Sequence, residues 1–307
     1  MRPCETVAET ISLFDFFERF PDEAAAVRYV EERRWGSEPF CCHCGSLSVS
    51  AVKNAKPMPW RCRDCRKHFS VRTGTVFAQS KLSIRKWLLA AYLMTTARKG
   101  ISSVQLAKEM GVTQKTAWFV EHRIRTAMAA RGGLLGGVVE IDETYIGGKE
   151  KNRHASKRKK LGRGAAGKQA VVGMKERGGK VRAFPVEGTT KVDLHTAIVE
   201  NVRRGSKLHT DDASAYKGLP GYRHDTVRHS AGEYVRGMVH TNGIESFWSL
   251  LKRGYIGTFH WMSVKHLWRY VNEFAARENA GHNTWAGINA IIEGAEGRRL
   301  DYRSLIA

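Results

Sequence analysis

Three carboxylates in this sequence stand where they could act together. Asp142 lies inside the apolar run VVEIDETYI, residues 138–146, with Glu140 and Glu143 beside it. Asp211 closes KLHTD, and Glu245 comes early in TNGIESFWSLLKR. A carboxylate in apolar surroundings is costly unless it is paired or holds a cation. Acids converging from different elements suit two-metal phosphoryl chemistry, in which two hard divalent ions about 4 Å apart serve the attacking and leaving oxygens. Each acid alone has an ordinary explanation: a salt bridge for Asp142, a turn opener for Asp211 or Asp212, a first-turn helix acid for Glu245. Together, a strand acid, a strand-end acid and a helix acid form an RNase H-type arrangement. Lys252 follows Glu245 by seven residues, on the same helix face. There it would touch a phosphate, or else form a surface charge pair.

A second constellation is made of cysteines. Cys41, Cys44, Cys62 and Cys65 read C-x2-C-x17-C-x2-C. Two intervening residues let both thiolates of a knuckle reach one ion, and the long spacer lets two knuckles face each other across a tetrahedral zinc. Four thiolates leave no open position, so the expected zinc is structural. Cys42 and His43 lie inside the first knuckle and break the paired spacing if taken as ligands. Arg61, Arg63, Arg66, Lys67 and His68 surround the second knuckle, which suits contact with DNA.

The overall balance agrees with such a partner. Fifty-one Lys and Arg against thirty Asp and Glu give a formal charge of +21. That excess points to a polyanion, and no basic amphipathic helix favours a membrane surface over nucleic acid. Residues 149–168 hold nine Lys or Arg, among them Lys157, Arg158, Lys159 and Lys160, in a Gly-containing stretch expected to be a solvated loop that orders on phosphates. In SSVQLAKEMGVTQKTAWFVEHRIR, Ala107, Gly111 and Thr113 fit a helix-turn-helix. Gln114 and Lys115 would then open the second helix, where a major groove is read. An ordinary helical hairpin is the competing reading.

The elements that must position these groups follow from periodicity. Residues 8–35 read as two short helices, and 80–131 as three helices broken at Gly100 and Gly111. From Val138 the pattern turns to period two. VVEIDETYI, AVVGMKE, VRAFPVE, KLHTDD and DTVRHS read as strands, with the helix VDLHTAIVENVRR before the fourth and helical closing segments GIESFWSLLKRGYI and VKHLWRYVNEFAARENA. The fold class is α/β: an RNase H-like mixed sheet with helices, preceded by a zinc ribbon and a helical region. The expected division is 1–35 N-terminal helices, 36–78 zinc ribbon, 79–133 helix-turn-helix region, 134–280 catalytic domain and 281–307 C-terminal tail. No apolar run reaches 18 residues, and the N-terminus lacks a secretory pattern, so the expected location is the cytoplasm and nucleoid.

Several long motifs in order resemble the ISXO-like zinc-ribbon insertion-sequence transposases, the IS-fifteen-ninety-five group. They are CHCGS with RCRDCRKHFSVRTGTVF, then EIDETYIGGKEKNRH, HTDDASAYKGL, HTNGIESFWSLLKRGYIGTFH and KHLWRYVNEFAARENA, and they span the chain from about residue 10. The resemblance implies a DDE-type transposase. Asp142, Asp211 and Glu245 would be its catalytic acids and hold two Mg²⁺ or Mn²⁺. Lys252 would be the basic residue after the third acid, and Cys41, Cys44, Cys62 and Cys65 the ligands of one Zn²⁺. Asp212 and Asn242 are the alternative carriers of the second and third positions. The implied partners are DNA (terminal inverted repeats and target) and further copies of the chain when bound to DNA. A structure-specific nuclease and a non-catalytic DNA-binding regulator are the competing functions.

Overall fold

The structure is a computed structural model that describes residues 10–129, 132–148, 154, 156, 167–227 and 239–307. The chain forms two compact units. One takes the described parts of Met1–Ala97, Ile101–Ala129 and Ala280–Ala307; the other takes those of Arg98–Gly100 and Ala130–Asn279.

The first unit opens with two helices, α1 (Leu13–Arg19) and α2 (Glu23–Trp35). Ser12 and Asp15 form a reciprocal capping box on α1, and Asp22 caps α2. A three-stranded antiparallel meander follows: β1 (Val49–Ala51), β2 (Trp60–Cys62) and β3 (His68–Phe69), in that order. Next come α3 (Ile84–Thr96), α4 (Ser103–Met110) and α5 (Gln114–Ala127), with the breaks near Gly100 and at Gly111 as expected. Thr113 accepts a hydrogen bond from the Thr116 amide and so caps α5.

The second unit is built on a five-stranded sheet. Its strands are β4 (Val138–Ile146), β5 (Gln169–Glu176), β6 (Val181–Val186), β7 (Lys207–Asp211) and β8 (Arg223–Val227). Their order is β6-β5-β4-β7-β8. The first three form an antiparallel meander, and β7 and β8 join in parallel. A parallel join needs a crossover, which α6 (Lys191–Asn201) supplies. This is an RNase H-like mixed sheet, as expected from the sequence, with its pairing order supplied by the structure. Val139, Ile141, Val172 and Met174 bury one face of the sheet with Leu194 and Ile198 of α6. The opposite face is covered by α7 (Asn242–Gly254) and α8 (Val264–Ala280), through Phe247, Trp248, Leu251, Val271 and Phe274.

The stretch expected as a C-terminal tail holds α9 (Thr284–Ala295) and α10 (Tyr302–Ile306). The reason is an apolar stripe: Ile288, Ile291, Ile292 and Ala295 are fully buried, and α9 packs on α2, α3 and α5. Asn283 accepts from the Ala286 amide and caps α9. Among the described residues no helix is long and apolar enough to cross a membrane.

Candidate active site

Strand alternation sorts the acids of β4. Val139 and Ile141 enter the core under α6, so Glu140 and Asp142 face α7. In the parallel β4–β7 pair, Glu140 is registered with His209. Strand alternation from that pair puts Asp142 and Asp211 on the same face, and the Asp211 charge acts on Asp142. Helix α7 brings the third acid. Ile244, Phe247, Trp248 and Leu251 recur at helical spacing and bury its underside, which leaves Glu245 at the flank of the helix and Lys252 exposed two turns on. The approach depends on Gly173, the cross-strand partner of Asp142. A Cβ there would lie 2.4 Å from the Trp248 ring.

Asp142 feels the charges around it. Burial, then the neighbouring charges of Glu143, Asp211 and Glu245, push the Asp142 carboxyl up to about 7 from its ordinary 3.8. Asp211 sits at the end of its strand, its Oδ1 accepting the Ala213 amide at 3.1 Å. The Thr241 hydroxyl donates to Glu245 Oε1 at 2.7 Å. Glu143 points the other way and accepts a short hydrogen bond from the buried Tyr216 hydroxyl. Burial raises its pKa as well.

Glu140 is the acid whose part the sequence did not reveal. It is 3% exposed, and its Oε2 accepts the Gly243 and Ile244 amides at 2.7 and 3.1 Å. It therefore clamps the start of α7 onto β4. One signal was available: period two places Glu140 on the face of Asp142, where a covering element has to supply donors.

In the first unit the four cysteines converge. Their sulfurs all lie within 4.8 Å of one another, with Cys41–Cys65 at 3.6 Å and Cys44–Cys62 at 3.7 Å. Four sulfurs about 2.3 Å from one tetrahedral ion stand roughly 3.8 Å apart, so the set fits a structural zinc. The His43 amide donates to Cys41 Sγ and the Cys65 amide to Cys62 Sγ, which supports the thiolates. Cys42 and His43 stay out of the cluster. Gln114 and Lys115 are exposed in the first turn of α5. There Gln114 donates to the Ser103 hydroxyl at 2.8 Å, and the Lys115 ammonium lies 4.7 Å from the centre of the Tyr302 ring. Lys157, Arg158, Lys159 and Lys160 lie outside the described residues.

Residues 134–279 match the family model described as the ISXO2-like transposase domain, and residues 21–68 match the transposase zinc-ribbon domain. A protein described as an uncharacterized protein in transposable element ISH50, from Halobacterium salinarum, is 31% identical over 271 residues. That match covers 84% of this chain and 91% of the relative. The chain belongs to the ISXO2-like transposase family. Solved structures with a distant likeness to this transposase include a simian T-cell lymphotropic virus intasome in complex with PP2A regulatory subunit B56 gamma, at TM-score 0.30 and 15% identity. That likeness covers 62% of this chain and 65% of the other, so it spans slightly under two thirds of that chain. The Mos1 strand transfer complex is similar at TM-score 0.29 and 12% identity, over 67% of this chain and 75% of that one. Likenesses at this level carry no argument. The fold assignment rests on the strand order above.

Proposed function

We propose that the transposase cuts DNA at the ends of its element and joins the freed 3′-OH ends to target DNA, with Asp142, Asp211 and Glu245 as the catalytic acids. One observation carries this reading: carboxylates from two strands and a helix lie close enough that Asp211 and Glu245 add to burial and to the Glu143 charge in pushing Asp142 up to about 7. Such crowding suits cations, and hard carboxylate oxygens suit Mg²⁺ or Mn²⁺, of which the three acids would hold two. When bound, the ions supply charge neutralisation at the entering and leaving oxygens of an in-line displacement. In the first step water displaces the 3′ oxygen at an element end. In the second the freed 3′-OH displaces a 3′ oxygen of the target, one P–O bond forming as another breaks. Lys252, exposed along α7, binds a phosphate beside the scissile one. Thr241 orients Glu245 through its hydroxyl.

DNA affinity resides elsewhere on the chain in this reading. The ribbon, residues 36–78, and the helix-turn-helix region, residues 79–133, recognise the terminal inverted repeats. Gln114 and Lys115 lie at the groove, and the basic stretch containing Lys157–Lys160 lies on phosphates. Several copies assemble on the paired ends.

The test separates chemistry from binding. Asp142→Asn, Asp211→Asn and Glu245→Gln should each abolish cleavage and strand transfer in Mg²⁺ while leaving end binding nearly intact. The acids contribute to the transition state and not to affinity. Asp212→Asn is the control. Cutting without joining would favour a nuclease, and unaltered function in all three variants would favour a non-catalytic regulator.

A further inference from the structure

Each of the three acid-bearing elements carries, a few residues before its acid, a member of one polar cluster, of which Glu140 and His209 are buried. On β4 it is Glu140, two residues before Asp142. On β7 it is His209, two before Asp211 and 1% exposed. At the head of α7 it is His240, five before Glu245. Arg177, in the turn after β5, links all three. It donates to Glu140 Oε1 at 3.1 Å, to His209 Nδ1 at 3.2 Å and to the His240 carbonyl at 3.4 Å, and its own amide donates to the Val138 carbonyl at 2.9 Å. His240 Nδ1 lies 3.3 Å from both Arg177 and Glu140.

The capping of α7 explains what the cluster is for. An N-cap Thr ordinarily accepts from the second or third amide of its helix. Thr241, at the N-cap of α7, makes no such bond, and its hydroxyl donates to Glu245. The second and third amides belong to Gly243 and Ile244, and both donate to Glu140. Glu140 has taken over the cap, and the natural capping residue is turned to the third acid. Gly243 makes this contact possible: a Cβ there would stand 2.6 Å from Glu140 Oε2.

We propose that Glu140 and Arg177 are positioning residues that fix the separation of Asp142, Asp211 and Glu245, and thereby set the affinity of the site for divalent cations. The proposal rests on the reading of those three acids as ligands. Carboxylates that share two ions must be held to within about half an ångström, and only locked supports achieve this. Glu140→Gln would turn an amide NH₂ toward either the helix amides or Arg177, donor against donor, and α7 would shift on the strand. The decisive measurement is Mn²⁺ binding to the full chain, read from the loss of the free-ion electron paramagnetic resonance signal, with no DNA and no turnover.

Asp142→Asn should lose Mn²⁺ binding. Glu140→Gln should keep a cooperative thermal transition and its zinc, yet require about tenfold more Mn²⁺ for half-saturation. Its kcat for end joining should fall while KM for DNA stays constant. If Glu140→Gln fails to fold, Arg177→Gln replaces it, since the Arg177 side chain is a quarter exposed; a rise of at least threefold in Mn²⁺ half-saturation is expected. Wild-type Mn²⁺ affinity in either folded variant, with Asp142→Asn dead to Mn²⁺, overturns the positioning role and leaves the three acids in place. Wild-type Mn²⁺ affinity in Asp142→Asn removes the acids as ligands, and the proposal with them.

Discussion

Asp142 and Glu143 are consecutive in β4 and serve opposite faces of the sheet. Asp142 faces α7, where the Asp211 charge acts on it, whereas Glu143 is bound by the Tyr216 hydroxyl on the side of α6. Two acids alike in sequence therefore carry different loads. Asp142→Asn should reduce end cleavage in Mg²⁺ by a thousandfold or more, on the order of 4 kcal/mol of transition-state stabilisation. Glu143→Gln should keep substantial activity, because an amide can still accept from Tyr216. A single-turnover assay on pre-assembled ends compares the two. Equal loss in both variants would place Glu143 in the reacting site.

The raised pKa of Asp142 has a consequence for stability, with a sign that can be checked. The carboxyl is held at about 7 when folded against an ordinary 3.8. Well below pH 3.8 both states are protonated and nothing is lost. As pH rises from about 4 to about 7 the unfolded chain ionises first, so the cation-free protein becomes less stable. The loss is at most about 4 kcal/mol across the window. Urea unfolding of chelator-treated protein at pH 5 and pH 7.5 should show the fall, and Asp142→Asn should flatten it. Adding Mn²⁺ at pH 7.5 should restore stability in the wild type and not in the variant. A stability that rises over the same window through this residue would contradict the crowding.

Asp142 and Glu245 show how much of the site was legible. Period two and the strand formers around Asp142 were enough to place it on a strand, and Glu245 could be placed early in a helix on one face with Lys252. The nearness of Asp142 and Asp211 was not readable, because register between β4 and β7 is set by a crossover whose length the pattern does not fix. The part of Glu140 was hidden for a similar reason. Its partners are backbone amides 103 and 104 residues away, and an amide leaves no mark on residue type. The helices of 281–307 escaped notice because α9 is Gly- and Ala-containing and short, and its Ile stripe acquires meaning only against α2, α3 and α5.

The closeness of α7 to the sheet can be tested at Gly173. Alanine there would put a Cβ 2.4 Å from Trp248 Cζ2 and 2.8 Å from Ile244 Cδ1. Overpacking of this kind costs about 1–3 kcal/mol and moves the helix. Gly173→Ala should lower the unfolding free energy by that amount, read as a lower urea midpoint, and reduce catalysis by more than the stability loss explains, because Glu245 rides on α7. Trp248→Phe in the same chain should recover part of the stability by removing the clashing ring. An unchanged midpoint in Gly173→Ala would mean that α7 sits farther from the sheet.

The four-cysteine cluster predicts a confined effect of metal removal. Cys41 and Cys62 are buried and Cys44 is exposed, and the four sulfurs are spaced to share one ion. Chelation or Cys62→Ala should release one Zn²⁺ per chain and expose amides of residues of about 36–75 to hydrogen exchange. Protection in β4, β5 and β7 should persist. Loss of protection across that sheet on zinc removal would refute a local structural role.

The basic stretch supplies the last prediction, which turns on ionic strength. Each phosphate neutralised by Lys or Arg releases condensed counterions, so binding weakens with salt at a slope of about −0.9 per contact. Lys157, Arg158, Lys159 and Lys160 fall within twenty residues that hold nine basic side chains and one acid. Replacing all four with Gln should reduce the slope of log affinity against log salt by up to about 3.6. It should weaken specific and non-specific duplexes alike, because phosphate contacts carry no sequence information. Lys115→Gln, in the first turn of α5, should instead lower affinity for element ends more than for random DNA. Titrations of both duplexes from 50 to 200 mM salt distinguish the two. An unchanged slope in the four-residue variant would take this stretch off the DNA, whatever the acids do.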